Sequence, residues 1–171
     1  MDEIKTDNVL SQEDIDIIEK YDKEQKTRKF DSEILTKIVY WSCVIISIYH
    51  IYTSMFGAPA TLKHRSLHVS MMLFLSFLMY RFNNKASLKK VPKYDLFLAV
   101  LSLGITLYMW VDYPNIISRA GVINNFDMIV GTLLVLMVMD VSRRISGWPL
   151  TILATLFIIY GLFGKNLPGI F

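Results

Sequence analysis

An all-α, polytopic membrane fold is predicted by this sequence, on three observations. Asp, Glu, Lys and Arg are missing from five long runs, 38–62, 66–80, 96–111, 128–139 and 145–164. These runs are apolar on every face: "IVYWSCVIISIYHIYTSMF" and "LTILATLFIIYGLF" lack the polar stripe that a helix on a soluble protein turns to water. Aromatic residues gather near the run ends, where an amphipathic ring sits at headgroup level: Tyr40, Trp41, Tyr52, Phe56, Tyr80, Phe82, Tyr108, Trp110, Tyr113 and Trp148. With 53% hydrophobic and 19% charged residues, the chain has too little polar surface to cover five such segments.

The elements follow in order. Residues 1–33 form an acidic cytosolic leader holding 11 of the 15 acidic and six of the 18 basic groups. Within it "SQEDIDIIEKYDKEQ" places Ser11 three residues before Asp14, a capping-box arrangement, with Ile15, Ile18 and Tyr21 on one face. A short helix is expected there, after a solvated tail over 1–10. Residues 34–171 form the transmembrane domain, with spans expected at about 36–57, 64–82, 94–112, 127–142 and 147–164. A spanning helix needs roughly 20 mostly apolar residues. The first and last runs supply them alone. The second and third do so if Arg65, Arg81, Asp95 and Asp112 stand at the interface with the arginines snorkelling. The fourth does so if Asp127 and Asp140 mark its ends. A four-span alternative makes 128–164 one kinked helix.

The stretch "MDVSRRISGWPL" at 139–150 interrupts the last two runs. Two arginines in mid-bilayer cost at least about 2.5 kcal/mol each, so Arg143 and Arg144 read as the cytoplasmic end of the fourth helix. Asp140, three and four residues earlier, can pair with either on one face. Gly147 and Pro149 then break the chain for re-entry. Lys26, Arg28, Lys29, Lys37, Arg81, Lys85, Lys89, Lys90, Lys93, Arg143 and Arg144 fall on one side, against Lys63, Arg65, Arg119 and Lys165 on the other. The positive-inside bias makes the N-terminus cytoplasmic in a multi-pass cell (inner) membrane protein. The first 30 residues, acidic and polar, do not read as a secretory signal.

Evidence of chemistry is sparse. His64 and His68 are four apart and share a helix face, but a metal site would need His50 to reach across, and they read as interfacial histidines. Phosphate-binding, nucleophile and CxxC patterns are missing. Cys43 is a lone cysteine in an apolar run, and the basic residues form no single patch for nucleic acid. The acidic residues after position 33 (Asp95, Asp112, Asp127, Asp140) all lie at predicted helix ends, away from the midplane where a transporter site would sit. Gly104, Gly131 and Gly161 are expected to allow close helix contact. No catalytic, cofactor-binding or metal residue is assigned, no cofactor is implied, and the physical reading is a scaffold or partner subunit rather than an enzyme. The alternatives are a stand-alone adaptor that recruits through its leader, and a small membrane enzyme using His64, His68 and Arg65.

The segments "EKYDKEQKTRKF", "IYHIYTSMFG", "KHRSLHVSMMLFLSFLMY", "RAGVINNFDMIVG", "DVSRRISGW" and "YGLFGKNLPG", in this order, resemble the N-terminal portion of TRAP transporter fused permeases of the TAXI-associated type. Such permeases continue after a segment like "LPG" into a large domain, so the resemblance covers the small, Q-type region; a split gene, a truncated fusion and a fragment are all compatible with it. The resemblance implies a non-catalytic part of an ion-coupled symport system that imports organic acids. Its partners would be a large permease domain or subunit, an extracytoplasmic solute-binding protein and the lipid bilayer, with no nucleic acid. The large part would carry substrate and sodium, so no site residue transfers to this chain.

Overall fold

The computed structural model describes residues 27–83, 89–119 and 121–163. They form six helices: α1 (Glu33–Phe56), α2 (Thr61–Met79), α3 (Lys93–Val111), α4 (Tyr113–Ser118), α5 (Asn125–Ser146) and α6 (Trp148–Phe163). The only pairing of β type among the described residues is an isolated bridge between Thr27 and Tyr80. The all-α expectation holds, and α1, α3 and α5 are each long and apolar enough to cross a membrane, with mean hydropathy 1.6. In α2, Lys63, His64, Arg65 and His68 crowd the first two turns and dilute its apolar character. α6 is apolar but has 16 residues. The helix expected over 11–25 lies outside the described residues.

Local chemistry explains the boundaries. Pro92, with φ −61°, leads into α3 and leaves Asp95 in its first turn, where the helix dipole favours a carboxylate. Asp127, in the first turn of α5, accepts the Asn124 N–H at 3.2 Å. α5 runs past Asp140 to Ser146, which leaves Arg143 and Arg144 in its last turn, at the helix end where the sequence placed them. The short α4, with Pro114 in its first turn, was not foreseen between α3 and α5. As for the kinked alternative, Gly147 separates α5 from α6 with φ +87° and ψ −174°, a conformation open almost only to glycine.

The core forms where α2, α3 and α5 meet, from Leu73, Phe77, Leu78, Leu98, Ala99, Ile105, Val130, Met137 and Val141. α2 is the hub, touching α1, α3 and α5, while α6 rests on α5. Small polar residues draw α2 and α3 together. The Ser70 hydroxyl donates to the Ser102 carbonyl, and Ser102 donates back to Ser70 at 3.3 Å and to Ala99 at 2.7 Å. Thr106 donates to the Ser66 carbonyl at 3.2 Å. Apolar helices gain no hydrophobic advantage from each other in lipid, so close packing and such bonds, about 0.6 kcal/mol each, hold them.

The close-contact role expected for Gly104, Gly131 and Gly161 is therefore filled by Ser70, Ala99 and Ser102. A methyl group built on any of the three glycines meets no neighbouring atom within 4 Å. Ser102→Leu should overpack the α2–α3 seam and destabilise the bundle by about 1–3 kcal/mol. Gly104→Ala should cause no loss. Thermal unfolding of both variants in one neutral detergent checks the contrast.

Candidate functional site: a charge cluster beneath the bundle

The most densely functionalised part of the fold is the end where the chain enters α1, α2 stops, α3 starts and α5 gives way to α6. Asp95 is 1% exposed there. One carboxylate oxygen accepts Arg28 Nη2, and the other accepts Arg144 Nη1 at 2.8 Å. Arg28 arrives from outside the helices. Its backbone N–H donates to the Met79 carbonyl at 2.7 Å, and Nη1 donates to the Phe77 and Leu78 carbonyls, both at 3.0 Å. Those carbonyls belong to the last turn of α2, whose partial negative charge a cation satisfies.

Arg144 reaches the same carboxylate from α5. Its Nε donates to Asp140 at 2.8 Å and its Nη1 to the Tyr80 carbonyl at 3.3 Å. Arg143 pairs with the other oxygen of Asp140 at 2.8 Å and lies over the Phe82 ring at 4.3 Å and the Trp148 ring at 5.6 Å. The pairing of Asp140 with both arginines, readable from their spacing, is present. Arg144 also stands at the end of its helix, as expected, but neither it nor Arg28 is open to solvent. Both guanidinium side chains are fully buried, and Asp95, expected at an interface, sits between them.

The cluster joins segments 49 and 67 residues apart, a relation no local spacing signals. It also extends the packed unit upstream of the boundary drawn at 33, since Thr27 and Arg28 belong to it. Beside it opens a pocket of about 210 Å³ lined by Arg81, Phe82, Asn83, Arg143, Arg144, Gly147 and Trp148. A guanidinium is a planar fork of N–H donors, so these arginines can bind anions and tie helix ends.

A second cluster closes the opposite end. Arg119, which follows α4, contacts Asp112 at 2.8 Å and Asp127 at 3.4 Å, and Asp127 also accepts the Tyr108 hydroxyl. The Asn115 amide, with Arg119 assisting, holds the Asp112 carboxyl below its ordinary value against the opposing effect of burial. At this end His50 Nε2 lies 2.8 Å from His68 Nδ1, while His64 Nδ1 lies 3.0 Å from the Tyr49 hydroxyl. His64 and His68 thus hydrogen-bond to different partners on α1, and His50 does reach across, bonding to His68 with its ring 5.8 Å from that of His64. Arg65 is exposed. Among the described residues, no group of three His, Cys, Asp or Glu is placed to hold a metal.

No family model matches the chain, and comparisons with curated proteins and with solved structures return no match.

Removing the shared carboxylate leaves two buried cations without it. Asp95→Asn should destabilise the bundle by about 3–5 kcal/mol. Asp140→Asn should cost less, because Asp140 is 19% exposed and Arg144 keeps Asp95. Unfolding midpoints of the two variants in the same detergent test the order.

Proposed function

We propose that this chain is the non-catalytic, scaffold part of a TRAP-type secondary transporter permease. In this reading it crosses the cell inner membrane five times, from a cytoplasmic N-terminus to an external C-terminal side. The observation that carries the reading is the distribution of polarity along the helices. Every charged residue described lies within about two turns of a helix end or between helices. The stretches between are apolar and largely unpartnered, as with Ile45, Ile48 and Ile51 on α1 and Leu153 and Phe157 on α6. Such a body can sit in lipid and brace a neighbour, and among the described residues it offers no charged group at mid-height to a substrate or coupling ion.

The ordered resemblance to TAXI-type TRAP permeases supplies the rest. A large permease domain or subunit carries substrate and ion, a solute-binding protein delivers organic acids from outside, and this chain enlarges the part of the transporter fixed in the bilayer. The two ends of the bundle suit this placement. The end with Arg28, Arg81, Arg143 and Arg144 is rich in arginine, as a cytoplasmic face should be, and the Arg119 end is balanced by Asp112 and Asp127.

The chain should co-purify with a large permease subunit, and its clean deletion should abolish organic-acid uptake; normal uptake in the deletion strain overturns the proposal. For the orientation, a cysteine at Asn115 should react with an impermeant maleimide added outside intact cells, and one at Asn84 only after permeabilisation. The reverse pattern inverts the topology.

A further inference from the structure

The arginine pocket and a groove beside it share a wall, and together they describe a ligand. Arg143 lines the polar pocket at the end of the bundle. It also lines a groove of about 390 Å³ between α5 and α6, with Val135, Leu136, Met139, Asp140, Thr151, Thr155 and Ile158. The two threonines of that groove spend their hydroxyls on their own helix, Thr151 on the Gly147 carbonyl at 3.1 Å and Thr155 on Thr151 at 2.7 Å. Asp140, paired with Arg143 and Arg144, stands at the pocket end of the groove, and the wall beyond it is hydrocarbon. From Arg143 back to Val135 it follows about 12 Å of helix.

We propose that this composite site binds one anionic phospholipid, its phosphodiester in the arginine pocket and an acyl chain along the α5–α6 groove. Charge favours an anion: among the described residues Arg28, Arg143 and Arg144 share two carboxylates, Asp95 and Asp140, and Arg81 lines the pocket beside them. The backbone adds to it, because the N-terminus of the 16-residue α6 opens at Gly147 and Trp148 in the pocket lining. Trp148, 64% exposed, stands where an indole meets headgroups. A free phosphate would use the pocket and leave the groove empty, whereas a lipid uses both. The inference rests on the placement of the chain in a bilayer and not on a transporter partner, so it can fail while the permease reading stands, and the reverse.

The test uses the purified full chain, delipidated in a neutral detergent and offered phosphatidylglycerol, phosphatidylcholine or inorganic phosphate, with bound ligand counted by native mass spectrometry. One phosphatidylglycerol should be retained in preference to phosphatidylcholine, and inorganic phosphate should not displace it. The double variant Arg81→Gln, Arg143→Gln, in which Arg144 still pairs Asp140 with Asp95, should bind phosphatidylglycerol about 30-fold more weakly. Thr155→Trp, which fills the groove, should also weaken lipid retention. Should the double variant unfold, the lipid comparison on the unaltered chain and Thr155→Trp decide the matter. Equal retention of the two lipids overturns the proposal. So does displacement by phosphate, or indifference to Thr155→Trp, either of which assigns the pocket to a free anion. A photoreactive residue at Leu136 should crosslink to lipid; crosslinks to a protein neighbour alone overturn the lipid occupant in favour of a covering subunit.

Discussion

A single carboxylate, Asp95, fastens three separate parts of the chain at one level. Arg28 brings the segment ahead of α1 under the bundle, Arg144 brings the end of α5, and Asp95 itself marks the start of α3. Arg28 also closes the last turn of α2 through two carbonyls. In a fold whose helices are apolar all round, slippage along the helix axes costs little in lipid, because one apolar face substitutes for another. A buried ion cluster removes that freedom, since shifting any one member would strand the others. Such clusters are weak evidence for net stability, and their better-attested use is to set register.

The seam between α2 and α3 complements this lock. Ser66, Ser70, Ala99, Ser102 and Thr106 recur at helical spacing on facing surfaces, and the hydroxyls of Ser70, Ser102 and Thr106 reach carbonyls on the opposite helix. The seam fixes how closely the two helices approach, and the ion cluster fixes how far one may slide. The Asp112–Arg119–Asp127 cluster holds the opposite end, with α4 between its members. What lies between these two latches carries no charge among the described residues and is apolar outside the α2–α3 seam, and the scaffold reading draws on that division.

Much of this was legible in the sequence because lipid imposes strong local rules. Charge-free runs marked the helices to within a few residues, as with 94–112 for a helix at Lys93–Val111. The i,i+3 and i,i+4 pairing of Asp140 with Arg143 and Arg144 needed only helix geometry. The break at Gly147 followed from Gly and Pro two residues apart. What escaped was tertiary. Whether an arginine near a helix end faces water or a carboxylate 67 residues away depends on the packing of other helices, and the residues around Arg28 carry no trace of Asp95. The glycines misled for a similar reason: a small residue permits close approach, but it does not say that a neighbour is there.

The attachment at Thr27 and Arg28 has a mechanical corollary. The segment at Thr27 and Arg28 is bridged to Tyr80 and bolted to Asp95, so the described chain is fixed to the bundle before α1 begins. Any load applied from the upstream side is thus delivered to the junction of α2, α3 and α5 together, and not to α1, although α1 is next in the chain. The first helix is bypassed by that load even while it is adjacent in sequence, and it is held to the frame by its own contacts with His64 and His68.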